Sequence, residues 1–256
     1  MTENTENTCN IFSAVDKLVY KNRAFTLKCN RCKREDEPSD KHGDNTLQCV
    51  THNGDDCRNF TDIFWGTFVA LAIYTVGFGI LYGLGEIEIT AVHFSAYDFL
   101  LSWILMLLVA LAEEIAFRGF VLGHLLTAGV NRFVALFLSS ALFSLMHIFN
   151  PNFSLIAFLN ILLAGILIGS TYIYTRNLWF PIALHLFWNW LQGPILGFEV
   201  SGGRLGGTLL SLELPEENII NGGAFGFEGS VLCTALMIIA IAIILKIQSR
   251  KVNQRL

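Results

Sequence analysis

Long apolar runs recur along the chain after residue 62, and short polar or glycine-containing segments separate them. A transmembrane helix needs about 20 predominantly apolar residues to cross the hydrocarbon core of a bilayer. The pattern therefore predicts an all-α fold, a polytopic membrane helix bundle of about six spans, the third and fifth of them short. The predicted spans cover residues 63–84, 99–121, 133–149, 154–175, 178–194 and 231–247.

Charged residues are scarce and unevenly distributed. Of the 256 residues, 53% are hydrophobic and 15% are charged, whereas a soluble domain carries about 25% charged residues. Residues 1–62 hold 11 of the 21 acidic and nine of the 17 basic residues. We therefore predict a polar head at 1–62, a leading transmembrane helix at 63–84, a membrane core at 98–247 and a polar tail at 248–256. The polar N-terminus does not match a signal peptide.

The placement of basic residues predicts the orientation of the spans, because cytoplasmic loops carry an excess of Lys and Arg. A cytoplasmic head leaves Arg204 as the one basic residue of the outside segments. The inside loops and tail then hold Arg132, Arg176, Lys246, Arg250, Lys251 and Arg255. The sequence thus predicts a multi-pass protein with both termini cytoplasmic. The glycine-rich outside segment 195–230 is interpreted as a lid or binding element, or alternatively as a flexible linker.

The head contains cysteines at a spacing typical of zinc ribbons. Cys29 and Cys32 form one pair, and Cys49 with His52 forms a second after sixteen residues. Four such ligands can close a tetrahedral structural zinc site, and Cys57 is an alternative to His52 as the fourth ligand. The competing interpretations are an acidic tail in which thiols cluster by chance, and a basic segment that contacts anionic lipid.

Three charged residues interrupt the second predicted span. Glu113 and Glu114 are adjacent, and Arg118 follows Glu114 by one helical turn. A charged side chain at the centre of a bilayer costs about 2.5–3.5 kcal/mol on insertion scales, and such residues mark functional sites by default. Pairing of Glu114 with Arg118 on one helix face lowers this cost, while Glu113 points about 100° away.

Two further spans each carry a polar stripe at the same spacing. Phe143 and His147 share one helix face, and so do His185 and Asn189. A carboxylate beside a histidine can activate water as a general base, and a histidine with an amide can stabilise an oxyanion. A glutamate with two histidines also suits a catalytic zinc. The alternatives are interhelical hydrogen bonds, a structural charge cluster, or a proton or cation path.

The three motifs Glu113-Glu114-x3-Arg118, Phe143-x3-His147 and His185-x3-Asn189 stand in this order in successive apolar segments. Together they resemble the motifs of the CPBP family, the CAAX-protease and bacteriocin-processing intramembrane endopeptidases. The glycine-rich segment 222–230 also resembles a segment common in bacterial members. The resemblance covers residues 98–247 and leaves the head outside it.

The resemblance implies hydrolysis of a peptide bond within the membrane. By this likeness Glu113 with His147 activates the attacking water, and His185 with Asn189 stabilises the tetrahedral oxyanion. Arg118 holds Glu114, which supports or shares the role of the base. Phe143 is a supporting residue. The residue types suit either direct activation of water or a divalent metal, such as zinc, held by Glu113, His147 and His185.

The expected substrate is a membrane-associated peptide or protein segment, and the expected location is a prokaryotic plasma membrane, which makes prenylated CAAX proteins poor candidates. The partners are thus a peptide or protein substrate and the lipid bilayer, with no nucleic acid. Two other functions are compatible with the same residues. One is a non-catalytic peptide-binding or immunity protein, and the other is a proton-coupled transporter, against which the absence of paired broken helices argues.

Overall fold

The computed structural model describes residues 52–204 and 206–253. The helices within these residues are numbered in chain order: α1 His52–Gly83, α2 Ala96–Thr127, α3 Arg132–Leu145, α4 Leu155–Gly169, α5 Tyr172–Thr175, α6 Trp179–Trp190 and α7 Val231–Asn253. Two short strands, β1 Glu88–Val92 and β2 Leu210–Glu213, lie in the connections.

Four stretches of the described helices are long and apolar enough to cross a membrane. They are Arg58–Gly83, Ala96–Thr127, Leu155–Thr175 and Val231–Lys251. The predicted class, an all-α membrane helix bundle, is confirmed. The first helix begins at His52, well before the predicted start at 63, because the residues ahead of the apolar run continue the helix although they are too polar for the bilayer core.

The two short spans of the prediction correspond to α3 and α6, which have 14 and 12 residues. An apolar stretch of 10–14 residues is more typical of a buried core helix than of a complete membrane crossing. Helix α6 fits this description, since nine of its 12 residues are buried. Helix α3 ends at Leu145, short of the predicted 149, and residues 146–149 form a turn.

Polar residues fix the starts of three helices. The Ser95 hydroxyl accepts a hydrogen bond from the Asp98 amide at 3.3 Å, at the start of α2. Asn131 caps α3 in the same way, and Ser154 caps α4 by accepting from the Ala157 amide at 3.1 Å. Such side chains satisfy amide groups that have no partner within the helix. Each cap therefore stabilises the first turn of its helix.

The strands β1 and β2 form an antiparallel pair in which Glu88 lies opposite Glu213 and Val92 lies opposite Leu210. The register is irregular between Ile89 and Ala91. The pattern of the sequence did not predict this pair. Each strand is only four or five residues long, and the surrounding apolar helices dominate the pattern. The pair joins the loop after α1 to the glycine-rich segment before α7.

Glycines permit the closest helix contacts in the bundle. A Cβ atom on Gly66 would lie 2.6 Å from the carbonyl oxygen of Phe180, so α1 crosses α6 at backbone contact. A Cβ atom on Gly165 would lie 2.8 Å from the Cβ of Ser140, where α4 meets α3. Small residues at helix interfaces allow this close approach within a membrane.

The contact at Gly165 leads to a stability prediction. Gly165→Ala is expected to destabilise the protein by about 1–3 kcal/mol, because the added methyl group overpacks the α3–α4 interface. Gly79→Ala is the matched control, since Gly79 also lies in a helix, but among the described residues a Cβ there meets no atom within 4 Å outside its chain neighbours and the backbone of its own helix. Melting temperatures in detergent measure both effects, and equal values for the two variants would contradict the prediction.

Candidate active site

The acidic pair of α2 lies where the helix changes its winding. Residues Ala96–Glu114 are α-helical, whereas Ile115–Leu122 form a π-helical stretch. Such stretches are rare and often occur at functional sites. The wider turn does not separate Arg118 from Glu114, whose guanidinium Nη1 and carboxylate Oε1 lie 2.9 Å apart. The ion pair expected from the i,i+4 spacing is therefore present in the structure.

Glu114 also contacts a residue on a distant helix. Its Oε1 lies 2.6 Å from the Nδ1 of His185 on α6. Glu114 is fully buried and Arg118 is 1% exposed. A carboxylate paired with a guanidinium is an acceptor only, so His185 donates this hydrogen bond from Nδ1. The contact fixes the ring of His185 and directs its Nε2 away from Glu114.

Arg118 has two further partners that complete its burial. Its Nη2 donates to the carbonyl oxygen of Gly165 at 3.1 Å. Its guanidinium carbon lies 4.7 Å from the ring centre of Phe143, a cation–π distance. Phe143 in turn packs edge-on against the ring of His185, with centroids 6.1 Å apart. Phe143 thus contacts both the buried guanidinium of Arg118 and the ring of His185.

A cavity of about 440 Å³ borders the cluster of buried side chains described above. Five of the predicted site residues line it: Glu113, Phe143, His147, His185 and Asn189. The Oε2 of Glu113 lies 3.7 Å from the Nε2 of His185, and the Glu113 side chain is 30% exposed. The buried carboxylate therefore orients the histidine, whereas the accessible carboxylate faces the space where a ligand can enter.

His147 occupies the turn that follows α3. Its Nδ1 lies 2.8 Å from the carbonyl oxygen of Phe143, and the two rings are 4.7 Å apart. The expected i,i+4 relation to Phe143 therefore persists although the helix itself ends at Leu145. Because a carbonyl oxygen is an acceptor, Nδ1 carries the hydrogen and Nε2 is the free nitrogen.

The structure adds polar residues that the sequence analysis did not assign to the site. Glu228, Trp188 and Ser201 also line the cavity. The Tyr74 hydroxyl donates to the side-chain oxygen of Gln192, which joins α1 to the end of α6. Glu228 had one detectable signal, since it is an isolated acid in a glycine-rich segment directly before an apolar helix. The other partners depend on contacts between distant parts of the chain.

The arrangement of donor groups bears on the metal alternative. Within residues 52–204 and 206–253, no three His, Cys, Asp or Glu side chains lie together in a group that could hold a metal ion. Glu113, His147 and His185 line one cavity and have suitable donor atoms. In the described part of the chain their positions do not form a ready ligand set.

The predicted zinc ribbon lies outside the described side chains. Cys29, Cys32 and Cys49 precede the described residues, and His52 and Cys57 enter only through the backbone of α1. This hypothesis therefore remains a prediction that metal analysis can test.

We predict that the purified full-length chain contains about one structural zinc per molecule, because a ribbon of this spacing folds around its metal. The double substitution Cys29→Ser, Cys32→Ser should remove that zinc. Cys9→Ser is the control, since Cys9 lies in the head but outside the paired spacing. Elemental analysis of the three proteins decides the question. Zinc that is absent from the wild type, or retained by the double variant, contradicts the ribbon.

The fold and the site define the class of protein as a membrane helix bundle with a buried carboxylate–histidine–arginine cluster beside a partly open cavity. Residues 95–191 match the family described as type II CAAX prenyl endopeptidase Rce1-like. The match contains every residue of the three motifs and confirms the resemblance to the CPBP family. The head, α1 and α7 lie outside it. No curated protein and no solved structure matches the chain.

At the family level the match supports a CAAX-type intramembrane endopeptidase with a peptide or protein substrate. The apolar helices support an integral membrane protein.

Proposed function

We propose that the protein is an intramembrane endopeptidase that hydrolyses a peptide bond of a membrane-associated peptide or protein by water activated at Glu113 and His147. The observation that carries this proposal is the shared cavity. It brings together a partly exposed carboxylate, two histidines and an amide from three separate segments of the chain. A structural charge cluster requires burial and pairing, but it does not require an accessible carboxylate beside them.

The first step is the activation of water. Glu113 is the accessible carboxylate of the cavity and is able to accept a proton from water. His147 presents Nε2 as its free nitrogen, because its Nδ1 hydrogen is engaged by the Phe143 carbonyl. A water held between these two residues loses its proton as its oxygen attacks the scissile carbonyl carbon. The proton is then available for the leaving amine.

The second requirement is stabilisation of the oxyanion. When His185 is protonated, its Nε2 donates into the cavity while its Nδ1 donates to Glu114. The Asn189 amide, one helical turn further along α6, supplies a second donor to the same cavity. Preorganised donors of this kind are each worth about 2.7–4 kcal/mol in enzymes that form tetrahedral intermediates. Arg118 and Glu114 act through His185 by fixing its orientation.

The position of the site among the apolar helices indicates where the substrate lies. A site that lies among membrane helices receives a peptide segment that is itself anchored in, or inserted into, the bilayer. The distribution of Lys and Arg favours an orientation with both termini in the cytoplasm. We therefore propose a membrane-associated substrate, and the resemblance of segment 222–230 to bacterial members favours a prokaryotic plasma membrane.

The decisive experiment is proteolysis in liposomes with a library of membrane-anchored peptides, read by mass spectrometry. His147→Ala should abolish cleavage seen with the wild type. His124→Ala is a closely matched control, since His124 also contacts the carbonyl oxygen four residues earlier, at 2.7 Å, and packs on a phenylalanine. It does not belong to the residues that line the cavity.

The same assay separates the alternatives. A folded wild type that cleaves no peptide across a broad library would favour a peptide-binding or immunity function. Cleavage that survives in His147→Ala would mean that the assignment of the site is wrong. Addition of a chelator to the wild type tests the metal alternative directly, and ion or solute uptake that depends on Glu113 would favour a transporter.

A further inference from the structure

Glu228 has an environment unlike that of a surface carboxylate. It lies in the short 3-10 turn Phe227–Gly229 before α7 and is 6% exposed. Its Oε1 accepts a hydrogen bond from the indole Nε1 of Trp188 at 2.7 Å. Its Oε2 accepts from the Ser201 amide at 2.9 Å and from the Ser201 hydroxyl at 2.8 Å. All three donors are uncharged, and they converge on one carboxylate.

The backbone around Glu228 is fixed independently of its side chain. The Asn160 amide on α4 donates to the carbonyl oxygens of Glu228, at 2.7 Å, and Ser230, at 2.8 Å. The Thr234 hydroxyl on α7 donates to the side-chain oxygen of Asn160 at 2.6 Å. The Glu228 carboxylate therefore projects from a rigid support between two helices.

This support holds a segment that we call the cavity loop, residues 197–204. Val200 and Ser201 of the loop line the cavity together with Glu113 and His185. Ser201 has a φ of 48°, a left-handed conformation that a residue other than glycine adopts at an energetic cost. The tie to Glu228 stabilises this conformation, because both the amide and the hydroxyl of Ser201 donate to it.

The cavity loop also approaches the turn that carries His147. Gly202 has a φ of 81°, and a Cβ atom there would lie 2.0 Å from the carbonyl oxygen of Pro151. Its amide donates to the carbonyl oxygen of Phe225 at 3.1 Å. The loop is therefore packed between the α3–α4 turn and the segment before α7. The Glu228 carboxylate links it to Trp188 of α6, and the Gln192 amide just after α6 donates to the Glu199 carbonyl oxygen at 2.6 Å.

We propose that Glu228 is a positioning residue: by tying Ser201 to Trp188 it fixes the cavity loop as the wall against which a substrate segment lies beside Glu113 and His185. The inference rests on the proposed function. In this role Glu228 transfers no proton, because its carboxylate is engaged by Trp188 and Ser201. Displacement of reacting groups by about 1 Å can cost 10²-fold in rate, so a wall that fixes the substrate has a measurable effect.

The test combines kinetics with a measurement that does not depend on cleavage. Glu228→Gln keeps the size of the side chain but turns an N–H group toward donors that need an acceptor. It should raise KM by on the order of 10-fold to 10²-fold, change kcat less, and add cleavage positions in the products. Hydrogen exchange at the Ser201 amide should become faster.

Glu199→Gln is the matched control on the same loop. The Glu199 carboxylate pairs with Arg204 at 3.0 Å, and its side chain is 26% exposed. This variant should keep the KM, the cleavage positions and the Ser201 exchange of the wild type. Ser201→Ala removes only the hydroxyl donor and should give a smaller change of the same kind. It carries the test if Glu228→Gln does not fold.

The outcomes are distinguishable. Unchanged KM, cleavage positions and loop exchange in Glu228→Gln would overturn the proposal. So would a lowered melting temperature in a variant whose folded fraction cleaves at the wild-type position with the wild-type KM, because Glu228 would then be structural only. A wild type that cleaves nothing removes the proposed function and the positioning role with it, while faster Ser201 exchange would still establish the tie itself.

Discussion

Replacing Glu113 by glutamine is expected to lower the rate of peptide cleavage by about 10²–10⁴-fold, the usual contribution of a general base. The amide keeps the size of the carboxylate but does not accept a proton from water at neutral pH. The melting temperature should remain close to that of the wild type, because the Glu113 side chain is 30% exposed and its ion-pair contact with His185 is 3.7 Å long. Single-turnover cleavage in liposomes measures the rate, and calorimetry in detergent measures the stability.

Glu88→Gln is the control for this substitution. Glu88 is an exposed residue of β1, so its replacement removes the same charge at a distance from the cavity. It should leave the rate unchanged. Glu113→Asp provides a second comparison, since it keeps the base but withdraws it by one methylene group, and it should retain part of the activity. A Glu113→Gln variant with the full wild-type rate would sink the assignment of Glu113 as the base.

Much of the site was predictable because the polar residues of a membrane protein stand out against an apolar background. The spacing of Glu114 and Arg118 was sufficient to predict their ion pair, which the structure contains at 2.9 Å. It did not reveal that His185 also donates to Glu114, because these two residues lie on different helices and 71 positions apart in the chain. The family resemblance paired Glu113 with His147, whereas the contact of Glu113 in the structure is with His185, at 3.7 Å.

The fold, too, was predictable where local sequence patterns determine it, and not where contacts between distant residues determine it. Long apolar runs identified the helices, since lipid and protein core both select apolar side chains. For the same reason they did not distinguish α6, which is mostly buried among its neighbours, from a helix that faces lipid. The π-helical turn after Glu114 has no known marker in the apolar pattern. Glu228 lies in the segment 195–230 that was predicted to be outside the membrane, and its contacts with Trp188 and Ser201 bury it.

The largest effect on stability is expected when Arg118, the ion-pair partner of the buried carboxylate Glu114, is replaced. Arg118→Leu should destabilise the protein by about 3–5 kcal/mol, the usual cost of leaving one member of a buried ion pair alone. The variant also removes the donor to the Gly165 carbonyl oxygen and the cation above Phe143. Cleavage should fall as well, since the orientation of His185 depends on an ionised Glu114.

The double variant Glu114→Gln, Arg118→Leu separates the charge from the packing. A glutamine at position 114 retains an oxygen that can accept from His185 Nδ1, but it carries no charge that requires Arg118. Because breaking a buried pair costs more than replacing both members, the double variant should be more stable than Arg118→Leu alone. Denaturant unfolding in detergent micelles gives the three free energies. If Arg118→Leu unfolds at the same denaturant concentration as the wild type, Glu114 is not a buried carboxylate held by Arg118, and His185 must be oriented by something else.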